Sequence, residues 1–175
     1  MKCFIIAALT ADGYIARETK QVSTVWTSKA DKKRFIELTK RAGVIIMGLN
    51  TFNTIGKPLP GRLNIIYAPK DTAKIEGVEI TDKDPRELLL DLEKRGFKEV
   101  AICGGSMIYT LFMKAGVVDT LYLTKEPVIF GSGLRLFKET LDYKLELVTS
   151  ETVEGGTILL EYKVGNSGMS RSAFT

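Results

Sequence analysis

One acidic residue is placed where it could take part in proton chemistry. After Asp31, the apolar residues Phe35, Leu38 and Ala42 follow at steps of four, three and four, so all four residues share one face of a predicted helix. Because that face is apolar, burial should raise the pKa of the Asp31 carboxyl toward the range useful for proton donation. A purely structural interpretation competes with this one, since Ser28 and Asp31 also form the S-x-x-D pattern of an ordinary helix start.

Two glycine-containing junctions could hold an anionic group. An apolar predicted strand runs through glycine into a predicted helix at MGLNTF, from Met47, and at ICGGSMIY, from Ile102. Asn50 or Thr51 would cap the first of these helices. Backbone amides at a helix N-terminus favour anions, and paired glycines let phosphates approach the chain. A tight turn would explain either junction alone, but two in one domain fit a nucleotide with two phosphates. Neither contains the G-x-G-x-x-G pattern of an ordinary Rossmann domain.

The segment Pro58–Arg62 (PLPGR) offers a fixed positive charge. Two prolines stiffen the segment, and a guanidinium held in place is the natural bidentate partner of a carboxylate. The alternative is a surface arginine after a turn.

These candidate residues lie among alternating strand and helix patterns, which the spacing of apolar residues reveals. Strands are predicted at 3–9, 44–47, 64–67, 100–103 and 120–124, helices at 28–42, 50–55, 84–96 and 106–114, and a loop at 16–25. Two alternating runs within 143–164, around Glu154-Gly155-Gly156, predict a hairpin. Together they predict an α/β fold with a mostly parallel central sheet, helices on both faces and an antiparallel C-terminal hairpin.

Composition limits the class of protein. The 175 residues, 45% apolar and 26% charged, suit one globular domain, assigned to 1–164 with a polar tail at 165–175. A formal net charge of +4 suits small anionic ligands and is too small to argue for nucleic acid. The chain has no histidine, which excludes histidine-based metal sites, and we expect no metal. Cys3 and Cys103 lie in apolar runs, and no uncharged stretch could span a membrane, so we expect a cytoplasmic protein.

Taken in order, these pieces resemble the dihydrofolate reductase family. The most specific stretch is MGLNTFNTIGKPLPGRLNII, at 47–66, and FIIAALTADGYIA, WTSKADKKRFIELT, VAICGGSMIY and LYLT fall in the family's order. The similarity covers about residues 3–164. It implies the family's three-layer fold and an enzyme that reduces 7,8-dihydrofolate to 5,6,7,8-tetrahydrofolate. The implied cofactor is NADPH, and NADH is not excluded.

The resemblance also implies roles for individual residues. Asp31 would hydrogen-bond the pterin and support protonation at N5, Trp26 would help order water there, and Thr124 would hydrogen-bond with the Asp31 group. Arg62 would bind the α-carboxylate of the folate tail. The other implied substrate contacts are Ile6, Ala8, Phe35, Ile55 and Leu59. The residues implied to line the cofactor are Ala8, Ile15, Gly48, Asn50, Thr51, Lys70, Cys103, Gly104, Gly105, Ser106, Met107, Ile108 and Tyr109.

The sequence departs from the family pattern around the cofactor. Leu49 stands where the family usually has an arginine that contacts the 2′-phosphate of NADPH. Ala68 and Pro69 stand where the family often has serines after the third strand, and Met107 stands where it has a basic residue. Lys70 would then be the basic residue that contacts the 2′-phosphate. The loop before Trp26 (RETKQVST) also differs in length and composition.

A related enzyme class is the second hypothesis. The segment 126–137 looks more like the reductase domain of riboflavin biosynthesis, whose substrate is a ribosylamino-pyrimidine phosphate. The PLPGR segment, Trp26 and Asp31 favour folate over that substrate, and Asp31 also argues against a nucleotide-binding module without catalysis. We expect a small-molecule substrate, no nucleic-acid or membrane partner, and either a monomer or a homodimer, with GSGLRLF as the candidate dimer edge.

Overall fold

Strands and helices alternate along the chain as the apolar runs predict. The structure, a computed structural model, describes residues 1–167. Its strands are β1 Lys2–Thr10, β2 Tyr14–Ala16, β3 Val44–Gly48, β4 Leu63–Tyr67, β5 Glu79–Thr81, β6 Glu99–Ile102, β7 Thr120–Glu126, β8 Leu134–Arg135, β9 Tyr143–Thr152 and β10 Ile158–Ser167. Its α-helices are α1 Lys29–Ala42, α2 Leu49–Ile55, α3 Pro85–Lys94 and α4 Ser106–Lys114.

Eight of the described strands form one sheet in the order β5-β4-β3-β6-β1-β7-β10-β9. The pairs from β5 to β7 are parallel, whereas β10 runs antiparallel to both β7 and β9. The central strand β1 lies between β6 and β7 and is buried over most of its length, as its continuous apolar sequence predicts. The predicted mostly parallel sheet with a C-terminal antiparallel hairpin is confirmed.

Side-chain alternation along the central strands divides the core into two layers. On β1, Phe4 and Ile6 belong to one apolar cluster, and Cys3 and Ile5 to the other. Residues of α1 and α2 complete the first cluster, and residues of α3 and α4 complete the second. The first side of the sheet is called the α1 face and the second the α4 face. Helices therefore cover both faces, as predicted.

The start and end of α1 follow directly from local sequence. The Ser28 hydroxyl accepts a hydrogen bond from the Asp31 backbone N–H at 3.1 Å, which confirms the S-x-x-D helix start. The helix ends at Gly43, whose φ of 72° lies in the left-handed region that glycine adopts without strain. Asn50 and Thr51 were the wrong caps for α2, because that helix already begins at Leu49 with Gly48 before it and no side-chain cap.

Several elements depend on partners that are distant in sequence. The short strands β2 and β8 pair with each other, and β2 overlaps the predicted loop at 16–25 only at Ala16. The edge strand β5 pairs with β4 and has no strong apolar pattern of its own. Strand β10 continues to Ser167, three residues into the predicted tail, and the remaining tail residues 168–175 lie outside the described residues. No helix within 1–167 is both long enough and apolar enough to cross a membrane.

Candidate active site

The Asp31 carboxyl lies in the first turn of α1 and faces the end of strand β7. Burial of this carboxyl is the main cause that raises its pKa above the ordinary value. The charge of Glu126 raises the pKa of Asp31 further, whereas the Thr124 hydroxyl and the Arg34 guanidinium lower it. Thr124 itself is 1% exposed. The structure thus holds a largely buried acid beside Thr124, while the roles of both residues toward a substrate stay predictions.

Two polar side-chain atoms next to α1 are buried without a partner. Among the described residues, neither Trp26 Nε1 nor Thr27 Oγ1 has a hydrogen-bond partner. The Thr27 hydroxyl is near enough to the Asp31 carboxyl to lower its pKa, but no hydrogen bond of ordinary geometry joins them. Because buried polar atoms normally bind protein, water or ligand, this arrangement suits the predicted ordering of water by Trp26.

An aromatic contact fixes the Trp26 ring against the loop that follows β7. The Trp26 and Phe130 rings meet edge to face, with centroids 5.2 Å apart. The Arg17 guanidinium lies 4.0 Å from the centroid of the Phe130 ring. The Asp12 carboxylate accepts hydrogen bonds from the backbone N–H groups of Phe130 and Gly131. The loop after β1 and the loop after β7 are therefore joined beside Trp26.

The apolar residues predicted to contact the substrate are gathered on the α1 face. Ile6 belongs to the buried cluster there, and Phe35, Ile55 and Leu59 pack against that cluster as partly buried side chains. Ala8 lies opposite Thr124 in the β1–β7 register. The predicted substrate contacts, from four separate segments of the chain, thus line one region beside α1.

Asn64 holds the Pro58–Arg62 segment in place, and the sequence analysis missed it. Its side chain is 2% exposed. Its amide nitrogen donates to the carbonyl oxygens of Leu59 at 2.9 Å and Arg62 at 2.8 Å, and its oxygen accepts from the Leu59 N–H at 2.8 Å. The signal available in the sequence was a polar residue at the start of an apolar strand, because such a residue needs local partners once buried.

The Arg62 side chain is held at the edge of the same region. Its Nη1 donates to the Thr39 hydroxyl at 2.7 Å, and its Nε donates to the Pro60 carbonyl at 3.1 Å. The Thr39 hydroxyl in turn donates to the Phe35 carbonyl at 2.6 Å. Within the described chain, Arg62 makes no salt bridge with an acidic residue. An oriented guanidinium without an acidic partner can bind an external carboxylate.

The two glycine junctions lie side by side where β3 and β6 end. The Gly48 N–H donates to the Gly104 carbonyl at 2.8 Å. A Cβ at Gly48 would lie 3.2 Å from the Ile108 side chain, and Gly104 has a φ of 116° that favours glycine. Both helices begin with glycine as N-cap and without a side-chain cap, at Gly48 for α2 and Gly105 for α4. No side chain of the N-cap residue therefore accepts from the first amides of either helix, which fits an anionic cofactor bound here.

The remaining predicted cofactor residues have varied environments. The hydroxyl of buried Tyr109 donates to the Ile6 carbonyl at 2.8 Å, and the Ser106 hydroxyl donates to the Arg135 carbonyl at 2.6 Å. Ile15 packs against the cluster on the α4 face that contains Ile108 and Tyr109, and a Cβ at Gly105 would lie 3.4 Å from Thr51 Oγ1.

The other predicted cofactor residues are less buried. Cys103 is partly buried on the α1 face, and Asn50 and Met107 are exposed. Lys70 forms an exposed salt bridge with Asp82 at 3.5 Å. The structure therefore gathers the glycine-junction residues, while a role of Lys70 toward the cofactor stays a prediction.

Comparison with known proteins agrees with this geometry. Residues 2–127 match the family model described as dihydrofolate reductase. The chain belongs to the dihydrofolate reductase family. The chain is 34% identical to dihydrofolate reductase type 3 of Salmonella typhimurium over 122 residues. This stretch covers 69% of this chain and 68% of that relative. The prediction of an oxidoreductase of this family is confirmed.

Solved structures share the fold over nearly the whole chain. A protein from Shewanella sp. PV-4 described as a putative riboflavin biosynthesis protein has a TM-score of 0.82 at 22% identity, covering 95% of this chain and 100% of its own. Dihydrofolate reductase from Enterococcus faecalis, complexed with NADP(H) and RAB-propyl, has a TM-score of 0.75 at 24% identity, covering 94% of this chain and 97% of its own. These likenesses confirm the predicted fold.

Glu126, near Asp31 at the end of β7, is a second residue to which the sequence analysis gave no role. It is the last residue of β7, two positions after Thr124, and it is 3% exposed. Side chains two apart on a strand point to the same face, so Glu126 lies on the α1 face with Thr124. That alternation was the available signal, but it gave no hint of the partners that Glu126 finds there.

Proposed function

We propose that the protein reduces 7,8-dihydrofolate to 5,6,7,8-tetrahydrofolate with NADPH as the reductant. The observation that carries this proposal is the largely buried Asp31 carboxyl beside an apolar region whose edge holds an arginine without an acidic partner. The product carries two more hydrogens than the substrate, at positions 5 and 6, so the reaction needs one hydride and one proton. NADPH supplies the hydride when bound, and the chain must direct the proton to N5.

Asp31 governs the proton. Its raised pKa keeps a fraction of the carboxyl protonated closer to neutral pH, where it hydrogen-bonds the pterin and supports protonation at N5. Thr124 orients the carboxyl, and Trp26, whose Nε1 has no partner in the described chain, helps to order water on the path to N5. Burial of the surrounding apolar side chains excludes bulk water from the reacting atoms.

The remaining residues bind and align the two ligands. Arg62, oriented through Thr39 on α1, binds the α-carboxylate of the folate tail. The paired glycine junctions hold the cofactor's pyrophosphate at the helix starts of α2 and α4. The apolar residues on the α1 face pack against the pterin and the aminobenzoyl ring. Most of the rate acceleration then comes from this alignment.

A turnover assay with paired variants tests the proposal. Purified protein receives dihydrofolate and NADPH, and cofactor oxidation is followed for the native chain, for Asp31→Asn and for the exposed control Asp71→Asn. We expect turnover in the native chain and the control, and a loss of kcat/KM of at least about a hundredfold in Asp31→Asn at neutral pH. We also expect Arg62→Leu to raise the KM for dihydrofolate by roughly tenfold or more, while the exposed control Arg86→Leu leaves it unchanged.

A second candidate is reduction of a ribosylamino-pyrimidine phosphate. It is favoured by the TM-score of 0.82 with the Shewanella protein and by the sequence of the segment 126–137. This substrate has a phosphate and no glutamate carboxylate. Turnover of that compound, with no turnover of dihydrofolate with either NADPH or NADH, would establish this function and refute the first. An Asp31→Asn variant with native activity would remove Asp31 from the mechanism.

A further inference from the structure

We propose that Glu126 is a positioning residue for the Asp31 site, with a buried carboxylate that fixes the start of α1 against the end of β7 and the start of β10. Only the expected change in dihydrofolate turnover rests on the proposed function. Its structural part concerns how the chain holds the helix that carries Asp31.

The Glu126 carboxylate joins three distant parts of the chain. Oε1 accepts a hydrogen bond from the Ser28 backbone N–H at 2.8 Å, and Oε2 accepts one from the Thr157 hydroxyl at 2.7 Å. Thr157, just before β10, is 1% exposed, and Glu126 is 3% exposed. A carboxylate this deeply buried is costly unless each oxygen has a donor, so both bonds stabilise the arrangement.

The contact reaches Asp31 through a single residue. Ser28, whose N–H binds Glu126, also accepts the Asp31 N–H on its own hydroxyl at 3.1 Å. A negative charge at this end of α1 is favourable, because the first amides of a helix carry partial positive charge. Glu126 therefore holds the N-cap that in turn fixes the backbone of Asp31.

The same carboxylate acts on Asp31 by its charge. A neighbouring negative charge disfavours ionisation, so Glu126 adds to the rise that burial causes in the pKa of Asp31. The other groups that face Asp31 act in the opposite direction: the Thr124 hydroxyl on β7, the Thr27 hydroxyl before α1, and the Arg34 guanidinium on α1. Removal of the Glu126 charge should therefore lower the pKa of Asp31.

The test compares Glu126→Gln with Glu37→Gln, which removes an exposed glutamate from α1, the helix that carries Asp31. Amide hydrogen exchange of the segment 26–31 reports on the positioning, and we expect it to be roughly tenfold faster in Glu126→Gln. The pH titration of the fluorescence of Trp26, the only tryptophan of the chain, reports on Asp31. We expect its midpoint to move to lower pH in Glu126→Gln and to stay unchanged in the control. The pH profile of dihydrofolate turnover should shift in the same direction.

These readouts separate the two proposals. Absence of dihydrofolate turnover with altered exchange and an altered fluorescence midpoint would refute the proposed function and support the positioning role. Native exchange and a native midpoint in folded Glu126→Gln would overturn the positioning role. If that variant does not fold, Thr157→Val takes its place, since it removes one of the two donors and keeps the side-chain volume. Faster exchange of the segment 26–31 in Thr157→Val supports the inference, and native exchange overturns it.

Discussion

Replacement of Asn64 by alanine should both destabilise the protein and weaken substrate binding. The Asn64 side chain makes three hydrogen bonds to the backbone of the Pro58–Arg62 segment, at 2.8, 2.9 and 2.8 Å. This segment carries Leu59 and Arg62, two of the residues to which the proposed function assigns contact with the substrate. The substitution removes all three bonds at once without touching either of those side chains.

The size of the effect follows from those bonds. A hydrogen bond between uncharged groups contributes about 0.5–1.5 kcal/mol net, so three of them give about 2–4 kcal/mol of unfolding free energy. Because Asn64 is 2% exposed, water would not readily replace the lost partners. In a chain of this size, 1 kcal/mol corresponds to about 2–4 °C in Tm, so we expect a decrease of about 5–15 °C.

Thermal unfolding and steady-state kinetics measure the two consequences separately. Asn53→Ala, which truncates an exposed asparagine on α2, is the matched control and should change Tm by less than about 2 °C. We expect Asn64→Ala to raise the KM for dihydrofolate more than it lowers kcat, because it loosens the position of Arg62. A Tm within about 2 °C of the native value would refute the assignment of Asn64 as the residue that holds this segment.

Two further substitutions test the loop beside Trp26 and the electrostatics of Asp31. A Cβ at Gly133 would lie 2.3 Å from the Ala16 carbonyl oxygen, so Gly133→Ala should cost about 3 kcal/mol or more of stability in a denaturant titration. Gly131→Ala also has a positive φ but meets nothing within 4 Å, so it should cost only about 1 kcal/mol, and equal losses would disprove the clash. Because the folded chain raises the pKa of Asp31, this residue favours the folded state most at low pH, below its unfolded pKa of about 4, and loses that contribution as pH rises through the folded pKa. Asp31→Asn should therefore have a higher Tm than the native chain at neutral pH, with a difference that disappears below about pH 4, and a lower Tm at neutral pH would contradict the direction of the shift.

Much of the fold could be predicted from local patterns. The apolar run at 3–9 predicts the central strand, and Ser28 with Gly43 marks both ends of α1, because capping and burial depend on residues near in sequence. The short strands β2, β5 and β8 were missed for the opposite reason. Each has only two or three residues, and its hydrogen-bond partners lie in another element.

The residues of the candidate site form the same two groups, those that local sequence could indicate and those whose roles depend on distant contacts. Asp31 could be singled out because the helical spacing places it on an apolar face, and the glycine junctions because glycine has a distinct backbone preference. Asn64 and Glu126 could not be assigned roles, since a polar residue in an apolar strand gives no sign of which atoms it will contact. Lys70 was singled out by the resemblance; the structure shows its exposed salt bridge with Asp82, and its role toward the cofactor stays a prediction.

The sequence by itself determined the order of the longer strands and the helices, the helix that carries Asp31, and membership of a family of reductases. These features are encoded in residue types and spacings along a continuous stretch of chain. Only the tertiary structure decided how Ser28, Glu126 and Thr157 meet beside that helix, because their separations of 98 and 31 residues carry no local pattern. The buried carboxylate that joins them exists because folding brings two hydrogen-bond donors to it, and without those donors its burial would be prohibitively costly.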